Sequence, residues 1–297
     1  MAKRKKQKIK VGELTMPSLT ITQRKRIQTI FVYLFLIVSS TATVLPLLWM
    51  ISTSLKSGSV IFQIPPQWFP DSLHWENYQR AITDIPFFLY LKNTVIITFF
   101  RMIAEVFVSA LVAYGFARFD FPGKNIWFMI LLSTIMLPGE ITMIPVFIMF
   151  SKLGWINTFK PLIVPAFFGG QAVFVFLLRQ FFLTIPRELE EAALMDGASR
   201  WQIFYKIFLP LSKPALVTIA LFSFQGSWND LLGPLMYLND SNKFTLQLGL
   251  AMFNGMTKVE WGPLMAASLL VLLPTLVLFF SLQKYFVEGI SITGIKG

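Results

Sequence analysis

The sequence predicts an all-α membrane protein with six transmembrane helices, and three observations carry that prediction. Of 297 residues, 55% are hydrophobic and only 14% are charged, where an ordinary soluble domain has about 25% charged residues. Apolar runs recur at the ~20 residues that one helical crossing needs. Lysine and arginine are distributed unevenly between alternate connecting segments, as topology requires of a multi-pass protein.

The expected spans, taken in order, cover about 29–53, 94–116, 125–149, 160–180, 214–237 and 263–286. Residues 1–28 form a basic tail with Lys3-Arg4-Lys5-Lys6, Lys8, Lys10 and Arg24-Lys25-Arg26. The apolar stretch that follows exceeds the ~7–15 residues of a secretory signal core, so it reads as a retained helix. Pro46, Pro138, Pro145, Pro165 and Pro274 interrupt the runs, which neighbouring helices tolerate by covering the freed carbonyls.

Charge sets the orientation. With the N-terminus inside, the inner segments hold 18 of the 26 Lys and Arg, the outer loops hold seven, and Arg101 lies within a span. Both termini are therefore expected on the cytoplasmic side. The net charge of +11 lies mostly in the tail, as a topology signal or a contact with anionic lipid. Two outer loops are sizeable. One, at about 56–92, carries Pro65-Pro66, Trp68, Trp75 and Tyr78 and reads as interfacial structure. The other, at about 238–262, has Asn254-Gly255-Met256-Thr257 at its centre.

The longest inner loop, 181–213, is the informative one. Pro186 suits only a helix start, and Glu188, Glu190 and Glu191 favour its N-terminal dipole. Ala192, Ala193, Leu194 and Met195 are good helix formers, and Gly197 ends the helix. Ser199 with Gln202 is a capping-box signature for a second helix. Trp201, Phe204, Tyr205 and Phe208 are its expected apolar face, and Pro210 and Pro214 are expected to stop it. The result is a helical hairpin between two spans. A DNA-binding helix pair is disfavoured, because the element sits between two spans and Glu188, Glu190 and Glu191 would repel duplex phosphate; no nucleic-acid partner is expected.

Within the spans, Arg101 and Glu105 are spaced to pair on one helix face, and a structural ion pair is the favoured reading. Gln225, Trp228, Asn229 and Asp230 fit pore lining or subunit packing equally, since intramembrane polar groups often line pathways. Trp and Asn together suit sugars, which take hydroxyl-directed hydrogen bonds and an aromatic face. The chain has no cysteine and one histidine, His74, so no metal site of thiolates or histidines is expected. There is no Gly-x-x-x-x-Gly-Lys-Ser/Thr loop and no catalytic constellation, so ATP hydrolysis by this chain is not expected.

The stretch Glu191-Ala192-Ala193, three residues, Gly197, nine residues, Ile207, one residue, Leu209-Pro210 resembles the EAA loop of ABC importer permeases. The C-terminal stretch Leu282-Gln283-Lys284-Tyr285-Phe286-Val287-Glu288-Gly289 with Gly294-Ile295-Lys296-Gly297 resembles the smaller permease subunit of maltose-type sugar importers. Trp228-Asn229-Asp230 and Leu137-Pro138-Gly139 are similar to that branch too. The likeness covers roughly residues 28–297.

The resemblance implies a type I importer permease domain over 29–290 and a cytoplasmic tail over 291–297, in a bacterial cytoplasmic membrane. It implies a coupling helix with Glu191, Ala192, Ala193, Met195, Asp196 and Gly197 seated against an ATPase subunit. It implies a sister permease, two ATPase subunits that carry ATP and magnesium, and an extracytoplasmic solute-binding protein touched by Asn254, Gly255, Met256 and Thr257. The competing classes are a secondary transporter or channel, and a membrane enzyme. The first needs a self-contained ion pathway and often an internal repeat, and no repeat is visible. The second lacks a catalytic cluster.

Overall fold

The computed structural model describes residues 21–58, 60–254 and 259–294. These are helical apart from turns and one isolated antiparallel bridge, Asn254 with Val259. The chain divides into two units, Met1–Met50 and Ile51–Gly297. The first is built on α1 (Ile21–Ser54), which continues through Pro46 and whose Lys25–Ser54 stretch has the length and apolarity of a membrane span.

The second unit is organised by α3. A short helix α2 (Glu76–Thr83) precedes it. α3 (Phe87–Arg118) is 32 residues long with no internal proline, a rod of about 48 Å at 1.5 Å per residue. α4 (Lys124–Ser133) and α5 (Gly139–Lys152) follow. α6 (Lys160–Ile163) leads through a 3₁₀ turn into α7 (Ala172–Thr184). α8 (Arg187–Met195), α9 (Arg200–Ile203) and α10 (Leu209–Leu211) form the hairpin region. α11 (Lys213–Trp228), α12 (Leu232–Tyr237), α13 (Leu246–Met252) and α14 (Trp261–Gly294) complete the chain.

Four segments have the length and apolarity of a span: 25–54, 87–118, 160–184 and 261–284. The expected spans at 125–149 and 214–237 depart from straight helices. α4 with its 3₁₀ turn meets α5 at 99°. The cause is Pro138, which forces Leu137 out of the helical region (ψ 115°). α11 ends at Trp228 rather than near 237, because Asp230 Oδ1 accepts the backbone N–H of Gly233 at 2.9 Å and starts α12 afresh. At its other end α11 meets the segment 200–211 at 80°.

Small residues let α3 approach its neighbours. Ala110, Ala113 and Ala117 are buried in the cluster that also holds Val175, Leu178 and Phe182 of α7, the pattern by which membrane helices pack closely. Gly170 has φ +67°, and a Cβ there would lie 2.7 Å from Ser109 Oγ and 3.0 Å from Ser109 Cα.

Hydrogen bonds tie the first long loop to itself and fasten the second to the Phe87 end of α3. Asn77 Nδ2 donates to the carbonyls of Ser54 and Lys56, both at 2.9 Å. Lys56 is buried and donates to the carbonyl of Gln67; burial lowers its pKa from the ordinary lysine value. Asn93 Nδ2 donates to the carbonyls of Asn242 and Phe244 at 2.9 Å. Thr94 Oγ1 accepts from the backbone N–H of Leu246, also at 2.9 Å. The loop at 238–262 thus contains a packed helix, α13, with Leu246, Leu248 and Gly249 buried.

Candidate functional site

The hairpin begins where Pro186 (φ −57°, ψ 141°) turns the chain into α8, with Glu188 and Glu190 in the first turn. α8 ends in a Schellman arrangement. The N–H of Ala198 donates to the carbonyl of Ala193 at 2.9 Å, and that of Gly197 to Leu194 at 3.0 Å. Gly197 stands at φ +79°, a conformation glycine adopts without the Cβ penalty. The capping box of the next helix is complete. Gln202 N donates to Ser199 Oγ at 3.2 Å, and Ser199 N donates to Gln202 Oε1 at 2.8 Å. Both signals predicted from sequence are therefore in place.

The second arm differs from expectation in its face. Residues 204–208 form a π-helical turn, in which the N–H of Leu209 donates to the carbonyl of Phe204. Pro210 has no N–H to bond one turn back, and the wider turn accommodates it. The shift puts Ile203, Phe204 and Phe208 fully inside, at 0% exposure, while Trp201 and Tyr205 are exposed. Pro210 does not stop the arm, which continues to Leu211.

Of the expected coupling residues, Glu191, Ala192, Met195, Asp196 and Gly197 are exposed, Met195 at 88%. Ala193 faces inward, against the cluster that contains Phe182 and Phe204. Sequence reasoning missed Glu190. It is buried and holds two arginines, Arg200 through Nη1 and Arg118 through Nε at 3.8 Å. Arg118 is the last residue of α3. Its Nη2 also donates to the carbonyls of Phe182 and Ile185, and its guanidinium lies 4.7 Å from the Phe208 ring centroid. The available signal was helical spacing: Glu190 lies three residues before Ala193, on the face that packs inward.

A second polar site lies along α3. Arg101 Nε donates to Glu105 Oε1 at 2.9 Å, so the expected pair exists. It is not isolated. Arg101 Nη1 reaches Asp230 Oδ2 at 3.4 Å, and Ser223 Oγ donates to Glu105 Oε2 at 2.6 Å. Arg101, Glu105 and Asp230 line a cavity of about 320 Å³ with Gln171, Gly233 and Tyr237. Asp230 is thereby joined to Arg101, while Gln225 and Asn229 are exposed beside it. Asn229 Nδ2 donates to the Gln225 carbonyl at 3.1 Å. Trp228 goes elsewhere. It is 2% exposed, stacks on Phe224 with centroids 5.2 Å apart, and donates from Nε1 to the Val271 carbonyl at 3.1 Å. Its indole is a packing group here, in line with the packing alternative, and it is not among the residues that line this cavity.

In the last loop, Asn254 is exposed and bridges to Val259, and the N–H of Glu260 donates to the Phe253 carbonyl at 3.1 Å. Gly255, Met256 and Thr257 lie outside the described residues. Among the described residues, no group of three or more His, Cys, Asp or Glu is arranged to hold a metal ion.

Comparison with known proteins identifies the family. The family described as binding-protein-dependent transport system inner membrane component matches residues 105–292. The chain is 35% identical over 269 residues to the probable ABC transporter permease protein YurM of Bacillus subtilis (strain 168), covering 90% of this chain and 87% of that protein. It is 34% identical to the arabinooligosaccharides transport system permease protein AraQ of Halalkalibacterium halodurans, covering 86% and 91%. A chain of a bacterial ABC transporter involved in import of the acidic polysaccharide alginate superposes with a TM-score of 0.76 at 26% identity, covering 91% of this chain and all of that one. The family match takes in the hairpin and, at the cavity, Glu105 and Asp230, and the chain belongs to the family of binding-protein-dependent transport system inner membrane components.

Proposed function

We propose that this chain is the membrane permease subunit of an ATP-driven, binding-protein-dependent importer of carbohydrate, of oligosaccharides in particular. The relatives named for arabinooligosaccharides and alginate support the substrate class. The single observation that carries the mechanism is the α8–α9 hairpin. It is capped at its turn by Gly197 and Ser199, rooted through Glu190, and exposed at Glu191, Met195 and Asp196. A rigid exposed knob on a membrane protein suits docking to a second subunit. In this reading an ATPase subunit closes on ATP and magnesium, moves the knob, and so moves the helices rooted to it.

The two bent pairs each count as one crossing in this proposal, which makes six spans within 29–290. Both termini and the 181–213 loop face the cytoplasm, by the Lys/Arg distribution. The cavity at Arg101 and Asp230, with Gln225 and Asn229, lines part of the pathway, where carboxylate and amide groups suit sugar hydroxyls. A sister permease supplies the rest. The bridged loop at Asn254 meets the binding protein.

The test is reconstitution in liposomes with the sister permease, two ATPase subunits and binding protein. Oligosaccharide uptake should require ATP and binding protein together; uptake driven by an ion gradient alone would reassign the chain to a secondary transporter. A cysteine introduced at Ser199 should react from the inner side only. Deleting residues 254–257 should leave the complex assembled and lower uptake most at limiting binding protein. Wild-type uptake at every binding-protein concentration would remove that loop from the contact.

A further inference from the structure

We infer that Glu190 and Arg118 form a buried joint that makes the α8–α9 hairpin and α3 one rigid lever, so that displacement of the hairpin reaches the Arg101–Asp230 contact. The inference rests on the coupling role proposed above and names how the movement travels.

The joint is charged, buried and multiply tied. The side chains of Arg118 and Glu190 are 3% and 8% exposed. Arg118 occupies the last position of α3, where the helix dipole favours a cation. Its Nη2 holds the carbonyls of Phe182 and Ile185, at the end of α7 and the residue after it. Its Nε lies 3.8 Å from Glu190 Oε2, an ion pair without a hydrogen bond, and its guanidinium carbon lies over the Phe208 ring. Glu190 passes the connection on, because Oε1 holds Arg200 of α9. The Arg200 guanidinium in turn lies 5.7 Å from the Phe119 centroid, and its carbonyl accepts from Tyr114 Oη at 3.4 Å. Both arms of the hairpin are therefore fastened to the final turn of α3.

Why should this be a joint for movement, and not only packing? Two facts distinguish it. A neutral contact between apolar faces slides at small cost. A buried guanidinium drawn away from its carboxylate loses that pairing in a low-dielectric interior, which is resisted even though Glu190 keeps Arg200. The contact therefore resists being drawn apart, as a transmitting element must. Secondly, α3 continues without proline from Arg118 to Arg101, about 25 Å along one helix. At that point Arg101 spans from α3 to Asp230, the residue at the break between α11 and α12. A tilt imposed at Arg118 is therefore delivered where two elements meet across the cavity.

The experiment uses the assembled complex with its ATPase subunits. The native chain has no cysteine, so spin labels at Asp196, at the hairpin tip, and Phe99, an exposed position on α3, report one distance. In the otherwise wild-type complex that distance should stay the same with and without bound ATP, while a second pair, Asp196 with Leu235 on α12, changes. A change in the Asp196–Phe99 distance on ATP binding overturns the lever, and this arm needs no substitution at the joint. In Glu190→Gln the Asp196–Phe99 distribution should broaden, and substrate taken up per ATP hydrolysed should fall about tenfold in complexes matched for membrane amount. Glu190→Asp, which keeps the charge, should retain more of that ratio than Glu190→Gln. If Glu190→Gln keeps the wild-type ratio and distribution while Gly197→Trp uncouples, the joint is wrong and the coupling hairpin stands. If Gly197→Trp also transports normally, the coupling reading itself falls.

Discussion

The two ends of α3 solve different problems with different chemistry. At the Arg118 end, the hairpin holds its exposed tip on a charged root: Glu190 between Arg118 and Arg200. At the Phe87 end, the amide of Asn93 on α3 holds the carbonyls of Asn242 and Phe244, and in the preceding loop Asn77 of α2 holds those of Ser54 and the buried Lys56. A side-chain amide in place of a backbone partner fixes a loop with little penalty from charge burial. A buried ion pair adds little net stability against an apolar substitute, but resists being separated. The first end therefore suits transmission and the second suits static support, and substitutions at the two ends should fail in different ways.

The largest expected effect is at Gly197. Its φ of +79° is costly for other residues, yet a Cβ there meets nothing within 4 Å. Gly197→Ala should thus cost only about 1–2 kcal/mol, through backbone strain. Gly197→Trp adds bulk to the exposed tip and should lower uptake per ATP by on the order of a hundredfold, with the complex still present in the membrane. Equal transport defects in the Ala and Trp variants would mean that backbone strain, not the docking surface, is what matters there.

At the other end the order should reverse. Asn77→Ala orphans two carbonyls at a 6% exposed site and should cost about 1–3 kcal/mol of stability, read as a lower thermal unfolding midpoint of the purified complex. Uptake per assembled complex should hardly change. A large fall in that quantity, with the midpoint unmoved, would show that the Phe87 end takes part in transport and erase the distinction drawn above.

The smallest effect is expected at Asp240, which caps the 3₁₀ turn Ser241–Lys243. The backbone N–H of Asn242 holds its carboxyl below the usual carboxylate value, with Lys243 adding to the effect. The folded pKa is depressed, so the contribution is present above the unfolded value of about 4 and disappears as pH falls through the folded value below it. Asp240→Asn should be slightly less stable than wild type at neutral pH and indistinguishable from it in strong acid. A gap that persists in strong acid would assign the effect to something other than the charge.

The hairpin was legible residue by residue, because capping is local. Gly197, Ser199 and Gln202 announce their geometry within a few positions of chain, and each is found where spacing put it. The exposure of Glu191 and Gly197 agrees with the coupling surface that the resemblance implied, while Ala193, expected on that surface, packs inward. Trp201 and Tyr205 were not, because a π-helical turn shifts the buried face and hydrophobic periodicity assumes 3.6 residues per turn throughout. Trp228 was open between pathway lining and packing, and within this chain it packs: the Phe224 ring and the Val271 carbonyl satisfy its face and its N–H.

The sequence by itself determined that the chain is helical, apolar over several membrane-length runs, asymmetric in charge, and equipped with a doubly capped hairpin. All of these follow from composition, period and contacts between near neighbours. Only the tertiary structure decided that Glu190 rather than Glu191 is buried, that Arg101 answers to Asp230 as well as Glu105, and that α13 packs inside the loop at 238–262. Each of those depends on partners far apart in the chain, Arg118 with Glu190, Arg101 with Asp230, Thr94 with Leu246. Long-range pairing of charge and hydrogen bond leaves no periodic trace in sequence, because its partners are brought together only by the packing of the helices that carry them.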